Sequence, residues 1–227
     1  MKRFKTDVYK DCKDIRHKKI FDFFRLLRLK ITVFFANKTF VLNPDLKLIS
    51  SSSELMPYGN VDLNEWSSIG FKRKDNSLII LHAPTNRSIK GTKYLVEAVS
   101  KLKKEGYSVR LKLLEGIKHN RMKEFCRDAD IVVDQLLIGW YGGFAVETMA
   151  LGKPVVCYLN EDLFYLVPWA GDIPIVNANT ANLYDKLKWL IENPKERERI
   201  GRMGREFVEK WHDPVKIAEK LTKLYEK

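Results

Sequence analysis

The most regular feature of the chain is an alternation between short apolar runs and longer stretches with apolar residues every three or four positions. It begins at about residue 77. Apolar runs at 78–81 and Ile131–Val133 are typical of strands buried on both faces of a sheet. Residues 92–105 have helical spacing and end in three lysines, which favours an amphipathic helix. The inward positions predicted for this helix are Leu95, Val96, Val99 and Leu102.

The same patterns predict elements along the rest of the chain. The remaining predicted strands are 109–114, 155–156 and 173–176, and the remaining predicted helices are 120–127, 144–151, 180–192, 194–212 and 214–225. Nearer the N-terminus, 38–42 predicts a strand and 46–49 either a short strand or the start of a helix. Because strands and helices alternate, the sequence predicts an α/β fold with a doubly wound parallel sheet.

Residues 129–156 read as strand, glycine-bearing loop, helix, turn and strand. Gly139, Gly142 and Gly143 lie in the loop, and Glu147 lies in the helix that follows. Such a loop at the carboxyl end of a parallel strand suits phosphate binding, because free backbone N–H groups and the helix dipole point outward there. Glu147 has two interpretations: a carboxylate that accepts both hydroxyls of a ribose, or a solvent-exposed helix residue.

Two cations three residues apart, Arg87 and Lys90, lie in the predicted loop between the first strand and the helix at 92–105. Arginine offers a planar fork of hydrogen-bond donors and lysine a point charge, so the two side chains suit a diphosphate. From position alone, the alternative is a pair of solvated cations on a basic protein.

The segment Glu147 to Val155, ETMALGKPV, resembles the donor-binding domain of GT-B glycosyltransferases of the family 4 type. In that family a glutamate, seven residues and a second glutamate precede a small-residue helix and G-x-P-V. The resemblance runs without a gap over 129–154, and the family's first glutamate falls at Gly139. Residues 57–63, PYGNVDL, resemble the connector between the family's two domains.

The resemblance implies transfer of a sugar from a nucleotide sugar with retention of configuration, and no metal or other cofactor. Arg87 and Lys90 match the catalytic cations of the family. The donor-binding residues that it implies are Gly91, Asp134, Gly142, Gly143 and Glu147.

Three further candidates, His82, His119 and Gln135, follow from position near the ends of strands. Asp134 and Gln135 depart from the small polar pair that is commoner in the family. They are candidates for reading the base or the sugar in place of the missing first glutamate. His82 also fits a buried structural histidine, and His119 an ordinary loop residue.

The resemblance also implies a division at about residue 76. Residues 1–76 are expected to hold a basic remnant of the N-terminal domain and a connector, and 77–227 the nucleotide-sugar-binding Rossmann-like domain. Most of the acceptor-binding domain is then expected to be absent. Three roles stay open: a transferase lacking its acceptor domain, a non-catalytic nucleotide-sugar binding module, and one subunit of a split transferase. The sugar, the base and the acceptor are not specified by the sequence.

Charge is distributed unevenly along the chain. Of a net charge of +12, residues 1–40 contribute +8, from 12 Lys or Arg against 4 Asp or Glu. Within them, 20–36 is apolar with interspersed basic residues. It is either a helix on an anionic membrane surface, through residues 1–36, or a helix packed on a neighbouring domain. A nucleic-acid partner is not expected, because the excess charge comes without aromatic–glycine RNA-binding motifs.

The three cysteines, Cys12, Cys126 and Cys157, are scattered, and no spacing is typical of a metal site. Together with the absence of a signal-peptide pattern in the first 19 residues, this favours a reducing cytoplasm. No apolar run approaches the about 20 residues of a spanning helix.

Overall fold

The computed structural model describes residues 15–68 and 77–226, which form two compact units. The first unit comprises 15–56 with 161–170, and the second comprises 57–68, 77–160 and 171–226. The connector residues 57–68 therefore group with the second unit. The division predicted at residue 76 falls outside the described residues and stays a prediction.

The first unit contains two helices and a small sheet. Its elements are α1 (Ile15–Phe35), β1 (Phe40–Val41), α2 (Pro44–Lys47) and β2 (Glu54–Leu55). β1 and β2 are parallel, with Phe40 opposite Glu54, and the 3-10 segment Glu161–Leu166 packs against α2. Of the two interpretations of 46–49, the helix is correct, and it begins at Pro44 because proline's fixed φ suits the first turn.

The second unit is an α/β sandwich built on one sheet. Its strands are β3 (Leu78–His82), β4 (Val109–Leu113), β5 (Ile131–Val133), β6 (Val155–Cys157) and β7 (Val176–Asn177). Its helices are α3 (Arg87–Lys90), α4 (Thr92–Lys104), α5 (His119–Arg127), α6 (Gly143–Ala150), α7 (Leu183–Glu192), α8 (Pro194–Trp211) and α9 (Pro214–Tyr225).

All five strands are parallel, in the order β4-β3-β5-β6-β7, which confirms the predicted fold class. Ile80 lies opposite Ile131 and Val132 opposite Val155. The chain passes from β3 outward to β4 and then returns to the other side of β3 for β5. The strand order therefore reverses between β3 and β5, where the crevice of a doubly wound sheet binds ligands.

Buried apolar residues on both faces of the sheet hold these elements in place. All residues of β5 and β6 are buried, as their continuous apolar runs predict. Helix α6 is buried along almost its whole length, and it packs against α8. A Cβ added at Gly204 of α8 would lie 3.3 Å from Cβ of Met149, so glycine allows the two helices to approach closely.

The structure corrects three sequence predictions. Val96 is exposed, because the stripe of α4 that faces the core runs through Leu95, Ala98, Val99 and Leu102. The edge strand pairs only at Val176–Asn177 and not over 173–176. Finally, the loop after β3 contains the one-turn helix α3, whose start is capped by the side chain of Asn86 accepting from the backbone N–H groups of Ser88 and Ile89.

Candidate functional site

The candidate residues gather at the carboxyl ends of β3 and β5, at the point where the strand order reverses. The loop that contains α3 follows β3, and the glycine-bearing loop follows β5 and leads into α6. The backbone N–H of Leu136 donates to the carbonyl of Lys90 at 3.2 Å, which joins the two loops. Residues far apart in sequence therefore contribute to one polar cluster.

Asp134 is the centre of this cluster. It directly follows β5, and its side chain is only 1% exposed. One carboxylate oxygen, Oδ1, lies 2.6 Å from Nζ of Lys90, and the other, Oδ2, accepts a hydrogen bond from the backbone N–H of Gly142 at 3.1 Å. Lys90 and the Gly142 N–H, which the sequence predicts to bind the donor, thus both contact a single carboxylate of the chain itself.

Gly91 explains how Lys90 reaches Asp134. Its φ of +77° lies in the left-handed region that favours glycine, and it ends α3 directly before α4. A Cβ at this position would lie 3.0 Å from Cβ of Leu136. Glycine therefore allows the two loops to touch, and it places Lys90 beside the end of β5.

Arg87 makes a two-pronged ion pair with Glu115, in the loop after β4. Its Nε donates to Oε1 at 2.7 Å, and its terminal nitrogen donates to Oε2. These hydrogen bonds raise the pKa of Arg87 and lower the pKa of Glu115. Both side chains are exposed, so solvent screens the pair and its contribution to stability is small. Glu115 was not predicted from sequence.

Glu147 is buried in α6, only 6% exposed, so the interpretation as a solvent-exposed helix residue is wrong. Its Oε1 accepts a hydrogen bond from Nδ2 of Asn60 at 3.0 Å and lies 2.9 Å from Nε2 of His119. A Cβ at Gly143 would lie 2.8 Å from Nδ2 of Asn60, so this glycine leaves room for the amide. Asn60 belongs to the PYGNVDL connector, which was the only signal for it in the sequence.

His82 is fully enclosed and uses both ring nitrogens within the protein. Nδ1 lies 2.8 Å from the carbonyl oxygen of Val133, and Nε2 lies 2.9 Å from Oγ1 of Thr92. Burial lowers the pKa of His82, so the ring is neutral at pH 7, with Nδ1–H donating and Nε2 accepting. This arrangement fits the structural interpretation of His82, and its role as a ligand stays a prediction.

Gln135 braces the glycine-bearing loop. Its side-chain Nε2 donates to the carbonyl of Trp140, and its own carbonyl accepts the backbone N–H of Tyr158 at 2.8 Å. The first contact closes the loop on itself, and the second joins the loop to the segment that follows β6. Its predicted part in reading the base or sugar is not tested by this geometry.

Two other kinds of chemistry find no support in residues 15–68 and 77–226. No group of three or more His, Cys, Asp or Glu there is close enough to hold a metal ion. Cys126 and Cys157 are buried, and burial raises the pKa of Cys126 to about 12, which disfavours a reactive thiolate. Cys12 lies outside the described residues. In the same part of the chain, no helix combines the length and the apolar character needed to cross a bilayer.

Comparison with known families decides the assignment. Residues 101–223, more than half of the chain, match the model of the family described as glycosyl transferase-like. The chain belongs to this family. The match includes β5, the glycine-bearing loop and α6, and therefore most of the residues of the polar cluster. No curated protein sequence matches this glycosyl transferase-like chain.

Solved GT-B glycosyltransferases share the fold of the glycosyl transferase-like chain. Sucrose-phosphate synthase from Thermosynechococcus elongatus superimposes with a TM-score of 0.67 at 18% identity, over 89% of this chain and 61% of that one. HepE from Anabaena, in complex with UDP-glucose, gives 0.67 at 15% identity, over 88% and 68%. TarM from S. aureus, in a complex that includes UDP, gives 0.63 at 17% identity, over 85% and 44%.

These likenesses concern the fold. The five-stranded parallel sheet with its flanking helices corresponds to the C-terminal Rossmann-like domain of GT-B glycosyltransferases. The glycosyl transferase-like chain spans about 61% of the length of sucrose-phosphate synthase.

Proposed function

We propose that this chain binds the nucleotide part of a nucleotide sugar and is the donor-binding part of a retaining glycosyltransferase of the family 4 type. The observation that carries the proposal is the meeting of Lys90 Nζ and the Gly142 N–H on one anion, at 2.6 and 3.1 Å. Both groups lie at the switch point of the sheet, and the buried Glu147 lies one turn into the helix that starts there. This arrangement suits a diphosphate followed by a ribose.

Each group has a defined part in the proposed reaction. The bond between the sugar and the diphosphate breaks, and the nucleoside diphosphate leaves with the electron pair. Arg87, Lys90 and the Gly142 N–H stabilise the negative charge that grows on it, so a metal ion is not required. Glu147 accepts the ribose hydroxyls. The oxygen of an acceptor hydroxyl bonds to the same face of the sugar, and its proton passes to the departing diphosphate.

We propose that the groups that bind the acceptor lie on a separate chain. On this proposal the chain alone binds nucleotide sugars but transfers little or no sugar, and a separate acceptor-domain chain restores transfer. The alternative function is a binding module without turnover, which no partner chain would convert into a transferase.

Binding of nucleotides to charge-altered variants tests the site. After a thermal-shift screen of nucleoside diphosphates, with UDP tried first, titration calorimetry compares the best ligand with its nucleoside. Lys90→Gln should lower the affinity for the diphosphate about ten- to a hundredfold, the size of a lost charge-assisted contact. The affinity for the nucleoside should stay unchanged. Glutamine retains a hydrogen-bond donor for Asp134, which protects the fold. Glu147→Ala should weaken both ligands, because both contain the ribose.

The matched control is Lys93→Gln, which removes the same charge from an exposed lysine of α4. It should bind both ligands like the wild type. Equal losses of nucleoside and diphosphate in Lys90→Gln, with an unchanged melting curve, would contradict the phosphate assignment.

We also propose that α1 lies on an anionic membrane surface, with the protein on the cytoplasmic side. Support for this is that Phe34 and Phe35 are 81% and 79% exposed, while Arg28 and Lys30 of the same helix are also exposed. Apolar and basic side chains on one helix suit the interface of an anionic bilayer.

Sedimentation with vesicles of phosphatidylcholine, with and without phosphatidylserine, tests this contact. The wild type should sediment with the anionic vesicles, and a Phe34→Ser, Phe35→Ser double variant should not. Tyr225→Ser removes an equally exposed aromatic from α9 and serves as the control. A double variant that sediments like the wild type would argue against α1 as the contact.

A further inference from the structure

Each phosphate-binding group of the proposed site already has a carboxylate of this chain as its partner. Asp134 holds both Lys90 Nζ and the Gly142 N–H, and Glu115 holds the guanidinium of Arg87. The two pairs differ in environment. Lys90 and Asp134 are largely enclosed, whereas Arg87 and Glu115 are exposed.

These pairings offset the charge of both phosphate-binding cations, in a protein whose net charge is +12. Two cations face two carboxylates, so a diphosphate that approaches finds no excess positive charge. A phosphate within hydrogen-bond reach of Lys90 Nζ and the Gly142 N–H would also lie a few ångströms from the Asp134 oxygens. Like charges at that separation repel strongly where water is largely excluded.

We infer that Asp134 is a resident anion that competes with the diphosphate of the ligand for Lys90 and the Gly142 N–H, and thereby sets the affinity of the site. This inference rests on the proposed function. A phosphate that binds takes over the two hydrogen bonds, and the Asp134 carboxylate gives them up. Glu115 competes in the same way for Arg87, but more weakly, because water screens an exposed pair.

The inference gives Asp134 a role distinct from that of a base- or sugar-reading residue. A reading residue binds its ligand, so its removal weakens binding. A competing anion opposes the ligand, so its neutralisation strengthens binding, and only for ligands that carry the phosphates. The sign of the change and its dependence on phosphate therefore separate the two roles.

Titration calorimetry with UDP, inorganic pyrophosphate and uridine tests the inference on the full chain. Asp134→Asn should increase the affinity for UDP and pyrophosphate about tenfold or more and leave the affinity for uridine unchanged, since it removes one like charge. Glu115→Gln should increase the affinity for UDP and pyrophosphate about two- to threefold. Glu196→Gln, which removes a carboxylate from the surface pair with Arg199, should change nothing.

Asp134→Ser is the second variant for the case in which asparagine disturbs folding, because its hydroxyl also removes the charge and is smaller than the amide. Unchanged or weaker UDP binding in folded Asp134→Asn or Asp134→Ser, with wild-type UDP binding intact, would overturn the inference and leave the proposed function standing. Tighter binding of pyrophosphate, with no binding of UDP, of uridine or of any nucleoside diphosphate in the thermal-shift screen, would support the resident anion and reject the nucleotide site. Absence of binding by every probe to every variant would reject both.

Discussion

Gly139 has a backbone φ of +87°, in the left-handed region that side chains other than glycine rarely adopt. Its carbonyl accepts the backbone N–H of Asn160 at 2.8 Å, and an added Cβ would lie 3.2 Å from Cβ of Asn160. The family 4 pattern that the sequence resembles has its first glutamate at this position. The loop conformation found here suits glycine and disfavours a glutamate.

Alanine at Gly139 should destabilise the fold through both backbone strain and crowding. Gly106 is a matched reference, because its φ is +91° and an added Cβ meets nothing within 4 Å. Gly106→Ala should lose about 1 kcal/mol of unfolding free energy from the left-handed φ alone. Gly139→Ala should lose about 1 kcal/mol more, because its neighbours must move.

Urea unfolding at pH 7 measures the two values. Equal losses in the two variants would show that the contact with Asn160 relaxes without cost, and the crowding argument would then be wrong.

Helix α8 joins parts of the second unit that are distant in sequence. The guanidinium of Arg205 donates to the carbonyls of Trp66 at 2.5 Å, Ala150 at 2.9 Å and Leu63 at 3.3 Å. Ala150 is the last residue of α6, where backbone carbonyls lack partners within the helix. One side chain of α8 thus holds the connector and the end of α6, and it steadies the helix that carries Glu147.

Arg205→Ala should reduce the free energy of unfolding by about 2–3 kcal/mol, because it leaves part-buried carbonyl groups without their hydrogen-bond donor. Arg199→Ala is the control on the same helix. Arg199 is paired with Glu196 on the surface, and its loss should change stability by no more than about 0.5 kcal/mol. Thermal and urea unfolding of both variants measure the difference, and similar values for the two arginines would count against this role of Arg205.

The cooperative stability of the second unit should depend on pH through His212. This histidine is fully buried at the end of α8, with Nδ1 2.8 Å from the carbonyl of Tyr58 and Nε2 3.1 Å from the hydroxyl of Tyr141. It thereby connects the connector, the glycine-bearing loop and α8. Burial lowers the pKa of His212 to about 4, from an ordinary value of 6.5.

The sign of the effect follows from which state takes up the proton. Between pH 6.5 and about 4 the unfolded chain protonates His212 and the folded chain does not, so the free energy of unfolding falls as the pH falls. By pH about 4 this difference in protonation has lowered the free energy of unfolding by about 3 kcal/mol, and at lower pH the effect levels off. Above pH 6.5 both states are neutral and the contribution is constant.

Between pH 7 and pH 4.5, the free energy of unfolding should therefore fall by about 2–3 kcal/mol less in His212→Gln than in the wild type. Urea titrations of both proteins at the two pH values give the difference, in which the carboxylates common to both proteins cancel. Parallel losses in the two proteins would show that His212 does not titrate differently on folding.

The sequence by itself determined the secondary-structure order, the parallel sheet and the location of the glycine-bearing loop. These depend on local patterns: continuous apolar runs at β3 and β5, helical spacing in α4, and glycines between β5 and α6. The same local patterns indicated that Lys90, Gly142 and Glu147 lie at the carboxyl end of the sheet. Errors occurred at Val96 and at 173–176, where a local pattern fits more than one arrangement and packing chooses between them.

Only the tertiary structure decided which groups become partners. Lys90 and Asp134 are 44 residues apart, and Asn60 and Glu147 are 87 apart, so no local pattern predicts either pair. Lys90 and Asp134 meet because the crossover from β4 to β5 returns the chain to β3 and brings two loops to one edge of the sheet. Asn60 reaches Glu147 from the connector, which precedes β3 in the chain. Burial at that edge then makes each polar group take a partner, since an unpaired charge in a place with little water is costly. That requirement, and not the residue types alone, gives this site its internal carboxylate.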